Sequence, residues 1–188
     1  MSHKTCDCGG GRFNRRSALA TMGVGLAAAI GASPAHAKAK RSPVRPEDEG
    51  FMRLAIAEAA KGDFPFGAVI VREGNVVATG RNLGVTNNDP TAHGEMVAIR
   101  RFVADNPAKE LKGATLYTSG EPCPMCMGAI VWCGIGRVVY AASIAQLSKR
   151  LGQIMITSRA VAEATPFLTV EITGGVLAPE ALALFDKK

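Results

Sequence analysis

The sequence has no long hydrophobic run and few aromatic residues or histidines. None of its 188 residues belong to an uninterrupted stretch of 18 or more apolar residues, so no transmembrane helix is expected. Aromatic residues make up 5% of the chain and hydrophobic residues 47%, which is an ordinary globular composition. No internal repeat or low-complexity segment follows residue 37. The length therefore predicts one domain with a full hydrophobic core.

The first 37 residues have the order of regions that is typical of an export signal. Paired arginines, Arg15 and Arg16, precede a mildly apolar stretch at 18–30, and residues 35–37 (Ala-His-Ala) offer a small-x-small cleavage site. This order predicts a twin-arginine signal peptide over 1–37 and a periplasmic protein. A disordered basic leader on a cytoplasmic protein is the alternative.

Cleavage after Ala37 would remove several charged residues and several possible metal ligands. Four basic residues and one acidic residue would leave, which lowers the formal net charge from +6 to +3. Cys6 and Cys8 would leave together with two of the three histidines, so these cysteines carry little weight as a metal or redox pair. The remaining soft ligands are Cys123, Cys126, Cys133 and His93. Thiolates in an oxidising compartment favour disulfides, so zinc would have to be loaded before export.

After an exposed linker at 38–46, the residue pattern predicts a hairpin followed by alternating helices and strands. The predicted strands are 68–72, 76–80, 115–119, 137–141 and 169–173, and the predicted helices are 47–61, 90–103, 124–133, 144–151 and 179–185. Asp89-Pro90 resembles an N-cap and first helical residue, which places His93 in the first turn of its helix. The alternation predicts a layered α/β domain over 47–188 with a largely parallel half-sheet.

The segment Pro122-Cys123-Pro124-Met125-Cys126, together with His93-Gly94-Glu95, is the strongest functional signal in the chain. A structural zinc is usually closed by four protein ligands, whereas a catalytic zinc takes three and keeps one open position. His93, Cys123 and Cys126 supply three ligands, and the spacing of the cysteines places both sulfurs on one face of a helix start. Glu95 is then free to carry protons, so the pattern predicts a hydrolytic zinc site.

Two other interpretations of the cysteines stay open on the residues alone. The Cys-x-x-Cys spacing also suits a redox pair, although the motif follows a strand late in the chain and the His-x-Glu lies on a separate helix. A structural zinc would need a fourth ligand. Cys133 lies seven residues beyond Cys126, about 10 Å along the helix, so it is predicted to be a small core residue instead.

These motifs resemble those of the cytidine deaminase superfamily, in particular bacterial guanine deaminases and tRNA adenosine deaminases. Residues 88–95 and 121–126 carry the resemblance, and shorter matches at 65–68, 80–82, 135–139 and 170–173 extend it over about 50–186. The resemblance implies a three-layer α/β/α fold with a five-stranded mixed sheet, and a homodimer. It also implies zinc-dependent hydrolytic deamination of a free nucleobase or related amino-heterocycle, with a guanine-like base as the first candidate.

The resemblance further suggests the residues of a substrate pocket. Asn82 is expected to hydrogen-bond the base or sugar and Phe66 to form the pocket, although a turn residue and a core residue would look the same. Trp132 lies on the helix after the cysteines and is expected to line the pocket or to be buried in the core. Gly94 stands where relatives usually carry alanine, and is expected to widen the pocket floor or loosen the metal helix. The aspartate with which guanine deaminases grip the purine is not found over 144–164, where Glu163 is the nearest acidic candidate.

Two other functions stay open. A tRNA or nucleoside adenosine deaminase would need phosphate contacts from clustered lysines and arginines, which a charge of +3 after cleavage does not favour. Export would also separate it from tRNA. A non-catalytic zinc-binding protein would have no need of a free carboxylate such as Glu95 at the metal. The expected partner is therefore a small molecule, with nucleic acid disfavoured and no membrane contact after signal cleavage.

Overall fold

The computed structural model describes residues 39–187, so the predicted signal peptide at 1–37 lies outside the described residues. The strands are β1 Lys40–Arg41, β2 Gly67–Arg72, β3 Asn75–Arg81, β4 Thr115–Gly120, β5 Arg137–Ala142 and β6 Glu171–Gly174. The helices are α1 Asp48–Ala59, α2 Gly94–Asp105, α3 Pro124–Trp132, α4 Ile144–Leu147, α5 Ser158–Glu163 and α6 Ala178–Leu182, with short 3₁₀ segments at Ala108–Leu111 and Phe185–Lys187. Within 39–187, no helix has the length and apolar character needed to cross a bilayer.

The strands form one mixed sheet in the order β1-β6-β5-β4-β2-β3. Strands β4, β5, β6 and β1 are parallel, whereas β2 runs antiparallel to both β3 and β4. The parallel half-sheet is therefore confirmed. The sheet has six strands and not five, because residues 40–41 of the predicted linker pair with β6.

Helices cover both faces of this sheet. Alternate residues of the same strands point to opposite sides. Val69, Tyr117 and Val139 pack with α1 and α6, whereas Ile70, Leu116 and Val138 lie in a second cluster. That second cluster contains the buried residues of α2, α3 and α5, including Ile99, Phe102, Met127, Ile130 and Ala162. The predicted three-layer α/β/α architecture is confirmed.

A buried ion pair fixes the start of α1 to the sheet. Arg137, the first residue of β5, donates from Nη1 and Nη2 to the two carboxylate oxygens of Asp48 over 2.6 and 2.8 Å. The Tyr117 hydroxyl also donates to Asp48, over 3.0 Å. Burial opposes ionisation of Asp48, but these hydrogen bonds hold its pKa below the usual value. The pair lies at the amino end of the parallel strands, so it serves the fold and leaves their carboxyl end to the cysteine loop.

Three predicted features of the helices are wrong in detail. Helix α2 begins at Gly94 and not at Pro90, because Asp89 does not cap a helix. Its Oδ1 accepts hydrogen bonds from the backbone N–H and hydroxyl of Thr91 over 2.8 and 2.6 Å, which makes a turn. Helix α4 ends at Leu147 and not at residue 151, and α5 was not predicted.

Candidate active site

His93 stands at the N-cap of α2, not inside the helix. Its backbone is extended, with φ −67° and ψ 158°, and the helix begins at the next residue. The preceding turn is held against the end of β3, since the Leu83 N–H donates to the Ala92 carbonyl over 2.9 Å. Because the N-terminal end of α2 faces the site, the His93 and Glu95 side chains lie close enough to interact electrostatically although they are two residues apart.

The two cysteines repeat this arrangement on α3. Cys123 is the N-cap, with φ −65° and ψ 166°, Pro124 is the first helical residue, and Cys126 is buried in the first turn. Proline suits that position because its missing N–H would be unpaired there in any case. Two helix N-termini thus converge on the same point. Their positive ends favour thiolates over thiols.

His93, Cys123 and Cys126 fit a zinc ion. The Nδ1 atom of His93 lies 3.7 Å from the Cys123 sulfur and 3.6 Å from the Cys126 sulfur. Tetrahedral zinc with bonds of about 2.3 Å to sulfur and 2.0–2.1 Å to nitrogen requires an S···N separation of about 3.6 Å. All three ligand atoms lie within 4.8 Å of one another, and they are the whole cluster found within 39–187. Three protein ligands leave a fourth position open.

The pKa values of the two cysteines are shifted in opposite directions. A hydrogen bond from Cys126, and then one from His93, lowers the pKa of the Cys123 thiol to about 4. The same Cys126–Cys123 bond, together with burial, raises the pKa of Cys126. A zinc ion held by Cys123 and Cys126 would displace the proton that the two sulfurs share, because only thiolates are ligands.

Glu95 lies beside the metal ligands and is almost completely buried, with 5% of its surface exposed. The hydroxyl of Thr118, on β4, donates to its Oε1 over 3.3 Å. Burial raises the pKa of the Glu95 carboxyl, and the neighbouring Cys123 thiolate adds to this effect. A carboxyl whose pKa is raised accepts a proton more readily, which is the property required of a general acid–base group.

Asn82 and Phe66 lie next to each other, close to the start of α2. The Asn82 N–H donates to the Phe66 carbonyl over 2.9 Å, next to the turn that leads to His93. The Oδ1 atom of Asn82 accepts from the Gly84 N–H over 3.1 Å, so the amide nitrogen remains as a donor for a ligand. The Phe66 ring lies over Gly120, at the end of β4, and its edge contacts Phe185 with ring centroids 5.4 Å apart. Asn82 is 4% exposed and Phe66 half-buried.

Trp132 and Glu163 do not belong to the site. Trp132 is the last residue of α3, about 9 Å along the helix from Cys126, and is 79% exposed. Its ring stacks on Phe167, so it neither lines the pocket nor lies in the core. Glu163 ends α5 with its carboxylate 3.4 Å from Arg159, on the exposed side of that helix. Both predictions are wrong. The position of a residue on a helix did not show which end or which face of that helix lies near the metal ligands.

Gly94 has a packing role that differs from the predicted one. A Cβ atom at this position would lie 3.0 Å from the Gly67 Cα and 3.1 Å from the Phe66 carbonyl oxygen. Gly67 in turn is pressed against α1, where a Cβ would come 2.3 Å from the Ala59 nitrogen. Gly94 therefore lets α2 approach β2 closely. It does not widen the pocket floor.

We expect Gly94→Ala to lower stability, although alanine is the better helix former. The gain in helix propensity is at most about 1 kcal/mol, whereas overpacking against backbone that cannot withdraw costs about 1–3 kcal/mol. Thermal unfolding of the zinc-loaded protein measures the balance. Gly128→Ala is the matched control, since a Cβ at Gly128 in α3 meets nothing within 4 Å and should stabilise by up to about 1 kcal/mol. A rise in Tm for both variants would contradict the packing role of Gly94.

Two residues at the site were not singled out from the sequence. Thr118 orients Glu95, but threonine is common in strands and its pattern gives no signal of this role. Glu121 was noted only as part of the cysteine motif. It is 7% exposed and accepts hydrogen bonds from the N–H groups of Ile144 and Ser158. The sequence did offer a signal of this role, which is a single carboxylate directly before the cysteine loop in a segment that is otherwise uncharged.

Residues 45–142, which contain β2 to β5 and all three metal ligands, match the family described as cytidine and deoxycytidylate deaminase zinc-binding region. The chain belongs to this family. It is 48% identical over 99 residues to guanine deaminase of Bacillus subtilis, a match covering 50% of this chain and 64% of that protein. It is 38% identical over 138 residues to the tRNA-specific adenosine deaminase of Haemophilus influenzae, covering 71% and 78%. Guanine deaminase from Nitrosomonas europaea superposes with a TM-score of 0.63 at 25% identity, covering 81% and 88%.

Membership of the cytidine deaminase family agrees with the geometry. The family is zinc-binding, and the His-Cys-Cys cluster fits Zn²⁺ by donor type and spacing. The chain therefore belongs to a family of hydrolytic deaminases, and its ligand cluster fits Zn²⁺ as the cofactor. The similar proteins include guanine deaminases and tRNA adenosine deaminases, so the family alone leaves the choice of base open.

Proposed function

We propose that this deaminase acts on a free purine base, with guanine as the first candidate. The observation that carries the proposal is the 48% identity to a guanine deaminase over the 99 residues that it shares with this chain. The surroundings of the site support it. A half-buried aromatic ring, Phe66, and a buried amide, Asn82, lie next to each other near the start of α2, and they suit a flat polar ring.

Different residues would bind the metal, transfer protons and position the carboxyl group in the proposed reaction. Zinc held by His93, Cys123 and Cys126 supplies the Lewis-acid chemistry that makes a water acidic. Glu95 would take one proton from the attacking water and deliver it to a ring nitrogen. It would then move the proton of the new hydroxyl group to the amino nitrogen. A C–O bond forms at the ring carbon, the exocyclic C–N bond breaks, and the nitrogen leaves as ammonia. Thr118 keeps the Glu95 carboxyl in place during these transfers.

The charges on the surface favour a small substrate over a polynucleotide. Of the ten arginines between residues 39 and 187, eight already lie within 4.0 Å of a carboxylate oxygen. Phosphate contacts require cationic side chains that are free to release counterions. Arginines that are already paired are poorer donors for a phosphate backbone.

An RNA-directed adenosine deaminase is the second candidate. The 38% identity to a tRNA-specific enzyme extends over 71% of the chain, which is more of the sequence than the guanine deaminase match covers. A non-catalytic zinc-binding role has less support, because it gives no reason for a buried carboxyl beside the ligands.

Ammonia release from a panel of substrates decides between these functions. The zinc-loaded protein is assayed with guanine, 2,6-diaminopurine, adenine, cytosine, their nucleosides, a triazine and an RNA hairpin with an unpaired adenosine. We expect guanine to be among the free bases that are turned over, with kcat/KM at least about tenfold above that of its nucleoside. Turnover of the hairpin alone would support the RNA-directed function, and no turnover of any compound would support the binding role.

A further inference from the structure

Glu121 joins the cysteine loop to a second segment of the chain. It lies between the end of β4 and Pro122-Cys123, and its N–H donates to the Ala142 carbonyl over 2.7 Å. Its side chain points away from solvent and uses both oxygens. Oε2 accepts from the Ile144 N–H over 2.9 Å, and Oε1 accepts from the N–H and the hydroxyl of Ser158 over 3.0 and 2.9 Å.

These hydrogen bonds complete two helix starts at once. Ile144 and Ser158 are the first residues of α4 and α5. The N-caps of these helices, Ser143 and Thr157, already accept from the third residue of each helix, Gln146 and Ala160. The first N–H of each helix would otherwise have no partner when buried. The Glu121 carboxylate satisfies both of them, and its negative charge suits the positive helix ends.

The segment that Glu121 holds packs against the side chain of Phe66. A Cβ atom on Gly120 would lie 3.0 Å from both the Leu147 Cδ1 and the Phe66 Cε1 atoms, so these two side chains lie together over the end of β4. Leu147 is the last residue of α4 and is fully buried. The position of Leu147 beside Phe66 therefore depends on how α4 is held against the cysteine loop.

We propose that Glu121 is a positioning residue for the substrate pocket. It seats α4 and α5 against the cysteine loop and so holds Leu147 beside Phe66, where the base would lie. This rests on the proposed use of the Phe66 side of the cavity by the substrate. Glu121 does not touch the metal ligands' donor atoms and takes no part in proton transfer. Its loss should weaken substrate binding more than it slows the chemical step.

The test is Glu121→Gln, assayed with the panel compound that the wild type turns over fastest. Glutamine has one acceptor oxygen and one donor nitrogen, so it cannot accept from both helix starts. We expect KM to rise about tenfold or more, kcat to change less than about threefold, and zinc to remain at one per chain. An unchanged KM, or parallel loss of kcat and zinc, would overturn the proposal.

A second readout does not depend on activity. The connection between α4 and α5 contains Lys149 and Arg150, which are exposed and can be cut by trypsin. We expect faster cleavage there in Glu121→Gln than in wild type, with zinc still bound. Should the wild type turn over no free base, the proposed function fails. Faster cleavage would still show that Glu121 seats this segment, and equal cleavage would overturn that.

Two further variants provide a matched control and a milder substitution. Glu171→Gln makes the same chemical change on β6, where the carboxylate pairs with Lys40 and Arg45, and it should alter neither KM nor cleavage. If Glu121→Gln fails to fold, Ser158→Ala removes only the hydroxyl's hydrogen bond to Oε1. It should raise KM and cleavage in the same direction by a smaller factor. A Ser158→Ala protein identical to wild type in both would count against the proposal.

Discussion

Glu95→Gln should abolish deamination while leaving zinc in place. Glutamine has the shape of the protonated carboxylic acid and can still accept from Thr118, but it cannot take up a proton. General acid–base catalysis contributes about 10²–10⁴-fold, and because Glu95 serves both transfers we expect kcat to fall by about 10³-fold or more. Ammonia release with the preferred base measures the loss, and bound zinc is measured on the same sample.

The zinc measurement separates this role from a structural one. Glu95 contributes no ligand atom to the cluster of His93, Cys123 and Cys126, so the variant should hold as much zinc as wild type. Thr118→Val is the companion variant, since it keeps the carboxyl and removes the hydroxyl that orients it. An intermediate loss of about tenfold is expected there. Substantial turnover by Glu95→Gln, within about tenfold of wild type, would refute its role as proton carrier.

The metal centre could be predicted from the sequence because its chemistry depends on residue type and short spacing. Cys123 and Cys126 are close in the chain, and few side chains other than His93 could complete a soft ligand set. The sequence did not predict that His93 and Cys123 are both N-caps. This detail matters physically, because N-cap side chains project beyond the helix end and allow two helices to meet at one ion.

The substrate pocket was harder to predict because it is built from contacts between distant segments. Trp132 lies on the correct helix but at its far end, and Glu163 lies on a short helix that the pattern did not indicate. Gly94 was singled out because of its place between His93 and Glu95. Glycine is needed there because the backbone of Phe66 and Gly67 passes close to it. That contact cannot be predicted from the residues next to Gly94 in the chain.

The same limit explains the differences in the fold. Strand β1 has only two residues, Lys40 and Arg41, and both side chains are exposed, so no alternation could reveal it. Its pairing with β6 is a contact across about 130 residues of chain. The five longer strands carried their own apolar patterns and were all predicted.

Loss of one zinc ligand should lower both metal content and stability. Cys126→Ser replaces a buried thiolate by a hydroxyl, which is a poor zinc ligand, and leaves His93 and Cys123 as a two-ligand site. Zinc that binds only the folded state stabilises it by about 4 kcal/mol at a concentration 1,000 times its Kd. For a domain of this size that is a fall in Tm of about 8–16 °C. Thermal unfolding and zinc analysis measure the two effects, and ammonia release should be lost with the metal.

The response to a chelator distinguishes metal loss from damage to the core. A strong chelator should lower the Tm of the wild type to near that of Cys126→Ser and should have almost no further effect on the variant, because both then lack zinc. Cys133→Ser is the matched control. Cys133 follows α3 at its other end and is half-buried against the core, so this variant should bind one zinc and keep its response to the chelator. A Cys126→Ser protein that still binds one zinc per chain would refute the three-ligand site. It would mean that another side chain takes the place of the lost sulfur.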